Sequence, residues 1–390
     1  MKDYFFLLVI CFVCGCSFHN EWEQFVCVND TTQVIDLSEV LSSDTLHLTD
    51  IVDELKLIKL QTNDSSVLGK ISHVIFGDSC IYIHDNYNGG GVAIFDSEGH
   101  FIRRLPFGNG PNDVYSVFDI AYDFQRKHLL VNQRSGVKIF SSFGDSLVNS
   151  IDITFSTLHF LPYQGGYLFS QLPNVFNNNK YAVICVDSLF NPEKIIYFPK
   201  KYLGYVPYRM FSENSDGSVS IIQPYNNMVM SYSDSILTVK TMLYLGDKSF
   251  DAENIDSYEL LEQKYANDLV AFRGIYAETN NYEFFRLEKG DMTFIPVFYN
   301  KASHQFRSGV FIPFDLLSQL LTCQFAGVFN DYFVRCFSWD CFASDFDRSK
   351  LFENVGNLSQ DVVATVKNLN DDDNPLLILY KLKDIPANAE

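Results

Sequence analysis

Eight histidines could carry proton or metal chemistry: His19, His47, His73, His84, His100, His128, His159 and His304. No two stand at i,i+2 or i,i+4, the spacings that put two ligands on one face of a strand or helix. A histidine site would have to be assembled from distant segments. His73 and His159 fall near strands expected at the centre of the fold, where they could approach a central channel. Gly108-Asn109-Gly110-Pro111 offers the glycines of a phosphate cradle, but no Lys-Ser/Thr pair and no helix follow, so it reads as a turn. Asp85-Asn86-Tyr87-Asn88-Gly89-Gly90 has Tyr87 and Gly89 where a calcium loop needs oxygen ligands, so it reads as a hairpin loop. No Gly-x-Ser-x-Gly elbow occurs, and Asp371-Asp372-Asp373 reads as a solvated loop. The sequence therefore nominates no catalytic, cofactor-binding or metal-ligating set.

Covalent chemistry has one strong candidate. "MKDYFFLLVICFVCGC" has one lysine and an apolar run from Tyr4 to Val13. That run is shorter than the ~20 residues that span a bilayer. It fits the apolar region of a secretory signal peptide. Val13-Cys14-Gly15-Cys16 resembles a bacterial lipobox, which predicts lipidation of Cys16 after removal of residues 1–15. Several acyl chains hold a protein on a membrane far more firmly than one. Ser17 follows in place of an inner-membrane retention Asp, and by resemblance to other lipoproteins this points to the outer membrane. Polar residues 16–33 read as a tether, with a single domain over 34–390. Six of the nine cysteines then remain as thiols: Cys27, Cys80, Cys185, Cys323, Cys336 and Cys341. Most flank apolar residues and read as buried free thiols.

A net charge of −19 repels phosphate backbones, and no Lys/Arg cluster overrides it, so nucleic acid is excluded as a partner. Hydrophobic residues make up 47% of the chain and aromatics 15%, enough for a large core and biased toward strands.

The elements that must position any site come from a repeat. "GVAIFDSEGHFIRRL" (91–105) recurs 45 residues later as "GVKIFSSFGDSLVNS" (136–150). Gly91, Val92, Ile94, Phe95, Ser97, Gly99 and Ile102 match Gly136, Val137, Ile139, Phe140, Ser142, Gly144 and Leu147. Upstream, Ile75 matches Ile120 and Asp78 matches Asp123 at the same offset. Between them Ile81-Tyr82-Ile83 matches Leu129-Leu130-Val131 at an offset of 48, and a loop shorter by three restores the register. Compensating loop lengths around fixed strands mark a repeated four-strand unit. Looser copies follow at 156–198, 208–246, 268–300 and 327–338, the last finishing with "PLLILYKLK" (375–383). Periods of ~40–50 residues with four strands each point to a β-propeller. Six blades fit once helical insertions at 252–266, 313–322 and 359–369 are set aside, with Ser359 capping the last. "LKLIKL" (55–60) is expected to close the ring by completing the blade of PLLILYKLK, which removes sheet edges.

"LKLIKLQTNDSSVLGKISHVIF", "IFDSEGHFIRRL", "GNGPNDVYSVFDIAYD" and "DDNPLLILYKLK" together resemble the TolB-like six-bladed propeller lipoproteins of Bacteroides-type bacteria. Asn112 and Asp113 stand where that family commonly has Gly and Glu. The resemblance implies an all-β, six-bladed propeller at the outer membrane. With no catalytic set, the expected role is a non-catalytic binding scaffold for an envelope protein or a glycan. Tyr87, Tyr115, Tyr163, Phe176 and Tyr225 are candidate contact aromatics in or beside loops. The alternative is a propeller lactonase or lyase with a metal in its channel.

Overall fold

The computed structural model describes residues 32–385, except 39–44, 87–90, 156, 172–179, 202–208, 215, 224, 235, 251–268, 291–292, 312–314, 323, 340–341 and 343–345. Cys16, Tyr87, Phe176 and the helix expected at 252–266 lie outside the described residues.

Short elements come first: β1 (Gln33–Asp36), β2 (Thr45–Leu46), α1 (Leu48–Ile51) and β3 (Val52–Lys59). Antiparallel four-stranded blades follow. Blade 1 is β4 (Ile71–Phe76), β5 (Cys80–Asp85), β6 (Gly91–Asp96) and β7 (Phe101–Arg104). Blade 2 is β8 (Val117–Asp123), β9 (His128–Gln133), β10 (Gly136–Ser141) and β11 (Leu147–Asp152). Blade 3 is β12 (Phe160–Tyr163), β13 (Gly166–Gln171), β14 (Lys180–Val186) and β15 (Pro192–Lys201). Blade 4 is β16 (Phe211–Glu213), β17 (Val219–Ile222), β18 (Met228–Ser233) and β19 (Ile236–Tyr244). Blade 5 is β20 (Val270–Glu278), β21 (Tyr282–Lys289), β22 (Phe294–Asn300) and β23 (Gln305–Ser308). After β24 (Val310–Phe311) and α2 (Leu316–Thr322), blade 6 uses β25 (Gln324–Phe329) and β26 (Tyr332–Phe337). Then α3 (Gln360–Lys367) intervenes before β27 (Leu376–Leu382), and β3 supplies the outer strand.

The protein is thus a six-bladed β-propeller with few helices. The sequence repeat is the blade repeat: β6 and β10 are offset by 45, while β5 and β9 are offset by 48. Closure runs as expected, with β27 antiparallel to β3 in the register Leu376↔Lys59, Ile378↔Leu57 and Tyr380↔Leu55. Asn374 locks this seam. Its Oδ1 accepts from the Leu68 N–H at 2.8 Å, and its Nδ2 donates to the Gln61 and Ser66 carbonyls at 2.8 and 2.9 Å.

The core is divided among the blade interfaces. Six apolar clusters each join two neighbouring blades, and one of them joins blade 6 to blade 1 through Val334, Leu377, Ile83 and Phe95. Side chains on both faces of a blade are therefore buried, which is why the strand sequences read as near-continuous apolar runs. Both remaining helices fall where expected, and the Ser359 hydroxyl accepts from the Val362 N–H at 3.3 Å at the start of α3.

One arrangement was not legible in the sequence. β1 pairs parallel to β19 as a fifth strand on the outside of blade 4, from Gln33↔Thr241 to Asp36↔Tyr244. β2 then pairs parallel to β24 beside blade 5. The leading segment thus runs along the outer edges of blades 4 and 5 before β3 enters blade 6. A short, mostly apolar stretch such as Val34–Leu37 specifies a strand but not its partner.

Candidate functional site

The inner strands β4, β8, β12, β16, β20 and β25 enclose a central channel. Its wider part is a cavity of about 490 Å³ to which every inner strand contributes: Phe76, Tyr122, Pro162, Glu213, Tyr276 and Phe329. That volume lies in the ~300–1,000 Å³ range of small-molecule sites. These residues belong to the C-terminal halves of their strands. The hairpin loops that follow add Phe124, Asn280 and Asn330, so this is the channel's open end.

The N-terminal ends of the inner strands bring together a buried polar cluster at the opposite end. His73 on β4, Asp119 on β8, His159 ahead of β12 and His84 on β5 are all buried. His73 Nδ1 lies 3.1 Å from Asp119 Oδ1, and Asp119 Oδ2 accepts from the Phe160 N–H at 3.1 Å. Arg209, ahead of β16, donates from Nη1 to His73 Nε2 and also lines the cavity. His73 therefore carries its proton on Nδ1 and accepts on Nε2, the neutral tautomer.

Burial, reinforced by the Arg209 charge, pushes the His73 pKa down from 6.5 to about 4. Burial likewise takes His159 to about 4, against the opposing pull of Asp119. His84 is also lowered, chiefly by burial. For Asp119, burial alone would raise the pKa, but the hydrogen bond from His73 and the Arg209 charge outweigh it and hold the carboxylate ionised. His73 and His159, singled out in the sequence, do converge here. Asp119 and Arg209 were missed, and His84 was not placed with them, because a single polar residue in the sequence carries no mark of its neighbours in other blades. Among the described residues no group of three His, Cys, Asp or Glu is placed to hold a metal ion.

A second polar network stands on the cavity's other flank. Glu278 on β20 takes hydrogen bonds from Lys240, from Lys301 at 2.8 Å and from the Tyr276 hydroxyl at 2.8 Å. Burial would raise its pKa, but the two lysines more than offset this and keep it low. Glu213 on β16 differs. It is exposed to the cavity, yet the crowding walls push its carboxyl pKa up, only partly countered by Arg209.

Other sequence candidates are structural. Asp113 turns back to accept from the Gly110 N–H at 2.9 Å, and the buried Lys138 ammonium donates to the Pro111 carbonyl at 2.8 Å and to that of Asp113. The Gly-Asn-Gly-Pro stretch is thus a pinned turn between blades 1 and 2. Asp85 pairs with Arg104 at 3.0 Å and accepts from the Gly69 N–H. Among the contact aromatics, Tyr225 is buried against Phe250 and Arg273, which corrects its expected place on a loop surface. Tyr163 accepts at its hydroxyl from the Asp234 N–H at 3.2 Å, and Tyr115 is half-buried. The aromatics that reach the cavity instead include Phe76, Tyr122, Tyr276 and Phe329 near the ends of inner strands, where they look like core residues, and Phe124 in the loop after β8. Cys80, Cys185 and Cys336 are buried free thiols, as expected.

The model of the family described as "Domain of unknown function (DUF4934)" matches residues 32–381, nearly the whole propeller. The chain belongs to the DUF4934 family. No curated protein matches it. Among solved structures, a protein of Bacteroides fragilis assigned as exported is similar at a TM-score of 0.70 and 17% identity, over 91% of the DUF4934 chain and 99% of its own. The extracellular domain of a hybrid two-component system from Bacteroides thetaiotaomicron is similar at 0.39 and 11% identity, over 73% and 31% of the two chains. YCF48 bound to a D1 peptide gives 0.44 and 9% identity, over 88% and 100%. The first of these likenesses bears on the fold of the DUF4934 chain alone.

Proposed function

We propose that this DUF4934 chain is a TolB-like envelope lipoprotein that binds a ligand, or a protruding group of an envelope partner, in its central channel without transforming it. The observation that carries this reading is the 490 Å³ cavity, built by all six inner strands and open at one end. Its lining mixes aromatic rings with a few polar groups, the usual composition of a ligand site. His73 uses both ring nitrogens within the protein, on Asp119 and Arg209, and does not itself line the cavity. That favours binding over proton transfer.

The address in this proposal rests on the sequence. Residues 1–15 are the signal peptide, Cys16 carries the lipid, residues 16–33 form the tether, and the propeller follows at the outer membrane. The export assigned to the Bacteroides fragilis protein of like fold is in keeping with it.

The test compares the wild-type chain with Ser212→Trp, which fills the cavity from the β16 wall. Melting temperatures are measured with and without lipid, glycan and peptide fractions of an envelope extract. A fraction that stabilises the wild type and not the filled variant supports the channel as the site. Equal stabilisation of both, or none with any fraction, removes it.

A further inference from the structure

We infer that the channel cavity receives one neutral polyhydroxylated ring, a sugar unit. This rests on the channel being the binding site, and it adds the ligand's chemical class.

Two side chains narrow that class. Arg209 and Glu213 line the same cavity from one inner segment, four positions apart. A guanidinium only donates hydrogen bonds, and a carboxylate only accepts them. The Glu213 carboxylate makes no hydrogen bond or ion pair with another described residue, so a ligand that desolvates it must supply donors. An anionic ligand would bring a like charge to Glu213, inside a protein of net charge −19. A cationic ligand would meet Arg209, which is fixed in place by His73. A purely apolar ligand would strip Glu213 of water and return nothing. A hydroxyl is uncharged and both donates and accepts, so a ring bearing several can serve both groups at once.

Ring faces supply the second, independent requirement. Phe124 is 52% exposed at the cavity, with Tyr122 edge-on to it at 4.9 Å and 88°. Phe329 stacks on Phe76 across the blade 6–blade 1 boundary at 4.3 Å and 20°. Phe124 and Phe329 are thus each packed against a second cavity ring. The C–H face of a sugar is apolar and flat enough to lie on such a surface while its edge hydroxyls reach polar groups. Asn280 and Asn330, exposed in the hairpin loops at the mouth, add carboxamides that both donate and accept. The site is thus built to pair hydroxyls, and such sites discriminate strongly against ligands lacking them.

The experiment titrates the full chain with glucose, galactose, mannose and N-acetylglucosamine. Glucuronate and glucosamine serve as charged counterparts. Saturation-transfer NMR reports which protons touch the protein, and calorimetry gives affinities. We expect at least one neutral sugar to bind through its ring C–H protons, more tightly than either charged counterpart. Glu213→Ala and Phe124→Ala should each weaken it about tenfold or more, the loss of a charged hydrogen bond or of a stacked ring face. Methyl glycosides binding as well as free sugars would place the unit at a glycan terminus. Free sugars alone binding would make it a monosaccharide. No neutral sugar binding, or a charged one binding more tightly than its neutral parent, overturns the inference. Ser212→Trp separates this from the wider reading, with Asn280→Trp as the second choice should the first fail to fold. If the filled variants still bind sugar, the channel is not the site. If they lose another ligand instead, the channel stands and the sugar falls.

Discussion

His73 Nδ1 lies 3.1 Å from Asp119 Oδ1, and the two residues come from the innermost strands of adjacent blades. The other oxygen of the same carboxylate takes the Phe160 N–H of blade 3. One buried, ionised side chain therefore ties three blades together near the N-terminal ends of the inner strands. Arg209, ahead of the fourth blade's inner strand, completes the chain through His73 Nε2 and carries it to the cavity.

This cluster makes stability depend on acid. His73 and His159 have folded pKa values near 4 against an ordinary 6.5. Between these values the unfolded chain binds protons that the folded chain refuses, so stability falls as pH drops from about 6.5 to about 4. Each histidine contributes a slope of about 1.4 kcal/mol per pH unit inside that window. Glu213 and Glu283, whose carboxyls burial pushes up, act with the opposite sign near the lower end. Comparing urea midpoints of wild type and His159→Gln at pH 7 and pH 5 isolates the histidine share. The variant should lose less stability between the two pH values. An unchanged pH dependence would mean that His159 titrates normally in the fold.

Ring closure concentrates on Asn374. Its carboxamide satisfies the Leu68 N–H and the Gln61 and Ser66 carbonyls, joining the end of the chain to residues some 300 positions earlier. Asn374→Ala leaves those peptide groups without partners in a buried seam. We expect a loss of about 3 kcal/mol, from the desolvation of unsatisfied groups. Chemical denaturation measures it. A change below about 0.5 kcal/mol would show that water replaces the side chain there.

Where strands carry local information, the fold was legible. Gly-Val-x-Ile-Phe at a spacing of 45 marks the third strand of two blades, and LKLIKL, half in water, pairs with the almost continuously apolar PLLILYKLK. The parallel docking of β1 on blade 4 was not legible, since Val34-Ile35-Asp36-Leu37 would suit any open edge. The site was legible only in fragments. His73 and His159 stand out in the sequence as histidines near inner strands, but Phe76, Tyr122 and Phe329 look like ordinary core until six strands are arranged about one axis. Loop position misled for Tyr225, which the chain folds inward at a positive φ of 56°.

Two glycines separate conformational strain from collision. Gly99, in the turn of the first outer hairpin, has φ +91°, and a Cβ there would lie 2.4 Å from the Lys59 carbonyl oxygen of β3. Gly165 has φ +83° and nothing within 4 Å of the same position. Gly165→Ala should cost about 1 kcal/mol, the left-handed penalty alone. Gly99→Ala should cost at least about 1 kcal/mol more, because the seam between blades 1 and 6 must also move. Equal losses in thermal denaturation would show that β3 yields freely.

Cys16 offers the test of address. If it is the first residue of a lipoprotein, its thioether and amide acyl chains should partition the wild-type chain into detergent-rich phases and membranes, since several chains anchor where one does not. Cys16→Ala removes the attachment atom without touching the propeller, whose matched family region begins at residue 32. The variant should lose incorporation of labelled fatty acid and leave the membrane fraction, with the thermal stability of the propeller unchanged. Wild-type chain that takes up no label, or that stays with the soluble fraction after processing, would assign residues 1–15 to an ordinary cleaved signal and leave the channel without a membrane to face.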